Sequence, residues 1–272
     1  MKYITIILNI IVSLFFMKYI SSPDIIHYEN WYNSNDYNTF LEPGFNLFSF
    51  LSNFISFDFF LILLVIINTN LISFGLYRYS NSNFNVFFVF LCLPFLALNS
   101  GITIRQNLAI GLFLNSNYLL SFMSPFFHVS ALPALLVSRV KFIKRYKKWI
   151  FLFVLILIYL TYNSIIKILF SEVITYKLEI YSGVRESSSI RVFLWIIFLI
   201  YFIKLSKNKL LNTYASISIL FIALSYFNPQ LQRISWFFIP IIMMMMLNQK
   251  QLTYRKIISL TFLLVNFIYF LI

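Results

Sequence analysis

The chain has 272 residues, of which 61% are hydrophobic and 11% charged, with a formal net charge of +13. A soluble domain of this length needs far more polar surface to cover its core, so the composition excludes one. Nor does the charge point to nucleic acid, because the basic residues sit in short tracts between apolar runs and form no continuous basic face.

The apolar runs are Tyr3–Ile20, Phe59–Leu76, Phe84–Leu98, Trp149–Phe170, Val192–Phe202, Leu210–Phe227, Ile234–Leu247 and Ile257–Ile272. Crossing a bilayer takes about 20 helical residues. Both faces of these runs are apolar and no two-residue alternation persists, so they read as helices and not as barrel strands. The expected fold is all-α: a polytopic transmembrane bundle of about 9–11 crossings, forming one integral membrane domain over residues 1–272. Basic tracts occur at Lys2, Arg78, Arg139–Lys148, Lys204–Lys209 and Lys250–Lys256. The acidic residues lie elsewhere, at Asp24, Glu29, Asp36, Glu42 and Asp58, then at Glu172, Glu179 and Glu186. This segregation follows the positive-inside rule, with external loops at 21–57 and 171–191.

In chain order, Lys2 before an apolar stretch imitates a signal peptide. The small-residue cleavage site is missing, since the first alanine is Ala97, so the segment reads as a retained first helix running outward. It delivers the acidic external loop Ser21–Asn46, in which Glu42-Pro43-Gly44 reads as a turn. Phe45–Ile55 then lies along the interface or enters as a half-helix. The chain returns inward to Arg78 and outward through Phe84–Leu98, where Cys92 stands alone, so neither a disulfide framework nor a metal spacing exists. The stretch Ser100–Val140 is too long for one helix and short for three full ones, and Pro125 and Pro133 interrupt it. Short or re-entrant helices are expected between residues 100 and 140, a form that occurs where backbone is protein-covered or lines a wet cavity. In the second external loop Glu172, Glu179 and Glu186 recur every seven residues, and three further crossings follow.

Charges within or beside membrane helices are costly, which makes them functional candidates. Arg105 opens a helix in Ile104-Arg105-Gln106-Asn107, and its five-donor fork suits a phosphate or pyrophosphate. An interfacial arginine snorkelling to headgroups is the competing role. Arg233, after Asn228-Pro229-Gln230, reads the same way. His128 fits a general base, a proton relay, a donor to a sugar hydroxyl, or a hydrogen-bonded packing residue. Arg185 and Arg191 flank Glu186, where ordinary exposed pairing competes with a binding role. Among Asp24, Glu29, Asp36 and Glu42, one carboxylate could bind sugar or act as a base, and Asp58 reads as a helix cap. No Gly-rich phosphate loop, HExxH, CxxC or Asp-x-Asp pair occurs, so neither metal nor cofactor is expected. Met243–Met246 reads as lipid-facing or core filler.

Four patterns then occur in order: Asp24-x-x-x-Tyr28, Glu42-Pro43-Gly44-Phe45, Ile104-Arg105-Gln106-x-x-Ala109 and Phe127-His128-x-Ser130-Ala131-Leu132, with a late Arg233-x-x-x-Phe237-Phe238 before Pro240. In this the chain resembles EpsG-like proteins, which are similar to Wzy-type O-antigen and capsule polymerases of bacterial inner membranes. It departs from them in being short, with a compressed stretch between the Arg-Gln motif and Phe127-His128. The resemblance implies a metal-independent polymerase that moves glycan from undecaprenyl pyrophosphate onto a lipid-linked repeat unit, acting toward the periplasm. The implied catalytic residues are Arg105, His128, Glu42 and Asp24, with Gln106, Arg233, Tyr28, Arg185 and Arg191 holding substrate. Implied partners are undecaprenyl-pyrophosphate-linked oligosaccharides, membrane lipids, a chain-length regulator and a flippase. A polyprenyl-linked oligosaccharide flippase and a single-addition membrane glycosyltransferase are the rival classes. The charge pattern predicts that cysteines placed at Asn35 and Ser188 react with an impermeant thiol reagent on intact cells. Protection of both until permeabilisation would reverse the orientation.

Overall fold

The computed structural model describes residues 2–19, 23–34, 43–51, 54–80, 82–93, 96, 104–115, 118–128, 130–139, 189–206, 208–225, 231–248 and 261–262. The run Trp149–Phe170, the loop carrying Glu172, Glu179 and Glu186, and most of Ile257–Ile272 lie outside them. Among the described residues all regular structure is helical. The helices are α1 Lys2–Tyr19, α2 Pro23–Ser34, α3 Pro43–Leu51, α4 Phe57–Tyr77, α5 Asn83–Cys92, α6 Ile104–Leu114, α7 Tyr118–Phe127, α8 Ala131–Arg139, α9 Ser189–Leu205, α10 Lys209–Leu224, α11 Gln232–Ser235 and α12 Ile239–Leu247.

Local chemistry sets these boundaries. Ser56 caps α4 by accepting from the N–H of Phe59 at 3.4 Å. Asp58, expected as that cap, instead lies within the first turn, where its charge suits the helix dipole. At the end of α5, Leu93 turns to extended backbone because the next residue is Pro94. This is why the predicted run to Leu98 is not one continuous helix. The acidic segment 21–46, expected as loop, contains α2, and the expected turn at Pro43 is the first residue of α3. Proline is tolerated at a first helical position, so Pro43 starts a helix where it was read as part of a turn, and Pro23 starts α2 in the same way. Residues 104–139 hold three short helices of 11, 10 and 9 residues. Pro125 lies inside α7 and leaves the carbonyl of Ser121 without its helical donor. The hydroxyl of Ser124 supplies one at 2.8 Å.

Among the described residues one helix, α4, is long and apolar enough by length and composition to cross a membrane. Its neighbour α1 is built inside out. Thr5, Asn9 and Ser13 face the protein and are buried, while Ile4, Ile7, Leu8, Ile11 and Phe15 face outward. In water that face would be the wrong one to expose; against hydrocarbon it costs nothing. The amide of Asn9 donates to Ser73 Oγ at 2.9 Å and the hydroxyl of Thr69 to Ser13 Oγ at 3.2 Å. These pairs run in opposite sequence directions, so α1 and α4 are antiparallel. Such interhelical bonds average about 0.6 kcal/mol each in membranes, so they set register more than stability.

The α4–α6 pair is parallel and very close. A Cβ added to Gly111 would stand 2.7 Å from Leu71 Cβ, and one added to Gly75 would collide with Leu114. Each helix thus offers a glycine to a leucine of the other. At the far end of this pair Arg78 Nη1 donates to the carbonyl of Asn115 at 3.3 Å, covering the C-terminus of α6 just past the end of α4. Lys2 Nζ lies 4.7 Å from the Tyr77 ring centre, and Asn248 Nδ2 donates to the carbonyl of Tyr79 at 3.2 Å. Lys2, Arg78 and the chain entering the Lys250 tract therefore share one end of the bundle. Met243, Met244 and Met246 are buried core. Replacing Gly75 or Gly111 by alanine should lower stability by about 1–3 kcal/mol through overpacking. Thermal unfolding in detergent reads this as a reduced midpoint; unchanged midpoints for both would contradict the close approach.

Candidate anion site

The site begins with α2, which is anchored by Tyr32. That ring stacks on Phe60 at 4.8 Å and tilts against Phe57 at 5.6 Å, while its hydroxyl donates to the carbonyl of Ile55 at 3.0 Å. One helical turn earlier on the same face stands Tyr28. Its hydroxyl oxygen accepts from Arg105 Nε at 2.8 Å, and the guanidinium carbon lies 5.1 Å from its ring centre. Arg105 is the second residue of α6, a short helix whose N-terminus opens alongside the middle of α4. The depth is fixed by Asn68 of α4, whose amide donates to the carbonyl of Ile104 at 3.0 Å.

Gln106 faces the other way. It is 1% exposed, and its Nε2 donates to the backbone carbonyl of Arg233 at 3.0 Å. This bond joins the first turn of α6 to α11, in which Arg233 is likewise the second residue. Phe113, further along α6, meets Phe237 and Phe238 edge to face at 5.3 and 5.9 Å, so the turn after α11 is held as well. Both arginines are partly exposed at their shared end.

His128 completes the group from the break between α7 and α8. It is 7% exposed, and the charges of Arg105 and Arg233 both act on its ring. The hydroxyl oxygen of Ser130 lies 2.6 Å from Nδ1, and the backbone N–H of Ser130 donates to the same nitrogen at 3.3 Å. Pro133 sits in the first turn of α8, where its missing N–H removes no helical bond but its ring is incompatible with a helix continuing unbroken from α7.

The structure thus brings Tyr28, Arg105, Gln106, His128 and Arg233 into one region drawn from three helices and a break. Asp24 belongs to α2, one turn before Tyr28, but its side chain lies outside the described residues. Glu42 and Arg185 lie wholly outside them, as does the side chain of Arg191, at the start of α9. Gln106, expected to hold substrate, is buried and donates to the backbone carbonyl of Arg233. Sequence reasoning missed Tyr32, whose aromatic neighbours are only brought together by the fold. It also passed over Thr5, Asn9 and Ser13, although their four-residue spacing in an apolar run is a visible helical stripe.

Two guanidinium groups with a histidine form an arrangement suited to phosphate oxygens. Counting along α6 at about 1.5 Å per residue, the arginine end is about 15 Å from the basic end at Arg78 and Asn115. Losing the Gln106 tie should be felt in stability: Gln106→Met keeps the length and removes the donor to the carbonyl of Arg233. The expected cost is about 0.5–1.5 kcal/mol, read as a lower melting midpoint. A midpoint equal to wild type would show that the tie holds nothing.

Searches of curated proteins and of solved structures return no match. The sequence profile of the EpsG family matches residues 1–272, the whole chain. That family is of the polysaccharide-polymerase type of membrane protein. The motifs around Arg105, His128 and Arg233 and the match along the full length lead to one conclusion: the chain belongs to the EpsG family.

Proposed function

We propose that this chain is a bacterial surface-polysaccharide polymerase, an inner-membrane bundle of roughly ten crossings that works at the outward face. One observation carries the reading: the bond from Gln106 to the carbonyl of Arg233 joins the two helix starts that bear Arg105 and Arg233, away from the basic end of the bundle at Arg78. By the positive-inside rule the basic end faces the cytoplasm, which turns the arginine cluster toward the periplasm. Lipid-linked repeat units carry a pyrophosphate at the membrane surface, and paired guanidinium groups recognise that group.

The reaction is a glycosyl transfer. A hydroxyl oxygen of the incoming lipid-linked repeat unit attacks the anomeric carbon of the donor glycan. The bond from that carbon to the pyrophosphate oxygen breaks, and undecaprenyl pyrophosphate departs with the electron pair. The hydroxyl proton passes to a base, for which Asp24, Glu42 and His128 are the candidates. Negative charge grows on the leaving group, so donors already aimed at it lower the barrier without reorganising. Tyr28 holds Arg105 through Nε, which fixes the direction of the guanidinium before substrate arrives. The cationic side chains supply the charge stabilisation that this step needs.

Substitution at Arg105 tests the proposal. Arg105→Ala should abolish polymer while single repeat units still reach their downstream acceptor. Losing one such donor typically costs about 2.7–4 kcal/mol, or about 10²–10³ in rate. Arg105→Lys should also be poor, because a point charge does not reproduce a bidentate fork. The readout is the ladder of glycan lengths, with protein level checked alongside. A normal ladder from well-expressed Arg105→Ala would reduce this arginine to a membrane anchor. Loss of the single-unit product would point to a flippase or an earlier glycosyltransferase.

A further inference from the structure

We infer that His128 acts as a hydrogen-bond donor to the bound pyrophosphate through its Nε2–H, and that Ser130 is the positioning residue that makes it one. The inference rests on the pyrophosphate reading above and narrows it, because it removes His128 from the candidates for the base.

The geometry is local. A backbone amide only donates, so the Ser130 N–H at 3.3 Å makes Nδ1 an acceptor, and an accepting nitrogen carries no proton. The Ser130 hydroxyl, 2.6 Å away, then donates to Nδ1 as well. The ring proton therefore resides on Nε2. The backbone at this point is held on both sides: the His128 N–H donates to the carbonyl of Ser124 at 3.2 Å, and the Ala131 N–H to the carbonyl of His128 at 2.9 Å. The ring is buried, so it does not swing away to exchange its two nitrogens.

This tautomer agrees with the neighbours. Arg105 and Arg233 act on the same ring, and guanidinium groups donate without accepting. An N–H on Nε2 adds a third donor group to the two guanidiniums of this region, a composition that suits the oxygens of an anion. A general base would need a nitrogen with an open lone pair, and the one that has a lone pair is already engaged twice by Ser130. The hydroxyl proton of the acceptor sugar then goes to a carboxylate.

Two measurements test this. The chain has two histidines, His27 and His128, so ¹⁵N spectra of histidine-labelled protein in detergent are assignable with a His27→Gln variant. His128 should show a pyridine-type Nδ1 and a pyrrole-type Nε2; the opposite tautomer or a doubly protonated ring would overturn the inference. The second measurement is binding of farnesyl pyrophosphate to purified wild type, His128→Gln, His128→Ala and Ser130→Ala. Glutamine places an N–H near the position of Nε2–H and is no base. We expect His128→Gln to bind within about threefold of wild type, Ser130→Ala to weaken modestly, and His128→Ala to weaken about tenfold. Equal losses in His128→Gln and His128→Ala, or none in His128→Ala, would overturn the donor role and leave the pyrophosphate site standing. Absence of binding by wild type would overturn the site reading and the donor role together.

Discussion

The structure depends on the close contact of α4 with α6. Glycine on each helix receives leucine from the other, so the two backbones approach further than any larger pair of residues allows. Because the pair is parallel and α6 is only 11 residues long, the contact also decides depth. The first turn of α6 opens beside the middle of α4 instead of at the bundle surface. Everything at the candidate site hangs from that turn: Arg105 reaches sideways to Tyr28, and Gln106 reaches across to α11. The positive end of the α6 dipole lies at that first turn, on the same side as Arg105, an arrangement that favours an anion there.

A second layer of organisation is polar and internal. Asn9, Ser13, Thr69 and Ser73 meet between α1 and α4, where only hydroxyl and amide groups of matching register can bond. Apolar packing alone would let these helices slide, since one turn of aliphatic side chains resembles the next. Hydrogen bonds of modest strength remove that freedom. The same economy appears in α7, where a serine hydroxyl repairs the gap left by Pro125 and lets a broken segment stay ordered beside His128.

Much of this was legible in the sequence. Helical class, the first helix, α4 and the interruption of residues 100–140 follow from apolar run length and from proline placement, which are local properties. Arg105, His128 and Arg233 stood out because charge and imidazole are rare in such surroundings. Tyr28 surfaced only through motif order. What was not legible depends on contacts between distant segments. Nothing local tells that Gln106 turns inward to Arg233, 127 residues away, or that Tyr32 anchors α2 on Phe57 and Phe60. The helix within the acidic segment was missed for a different reason: its polar residues look like loop, yet its tyrosines bury one face. Ser130 was visible as part of a motif, but only three-dimensional geometry reveals which nitrogen of His128 it engages.

The tie from Gln106 to α11 has one property that bears on how such a protein diversifies. Its acceptor is the main-chain carbonyl of residue 233 and not the guanidinium. Any amino acid at 233 presents that carbonyl, so the scaffold bond is blind to the side chain it positions. Residue 106 is under the opposite constraint, since a donor of that length is required whatever the ligand. The frame at residue 233 is therefore independent of the recognition group it carries: a change of side chain there alters what is bound without breaking the bond that holds the backbone presenting it.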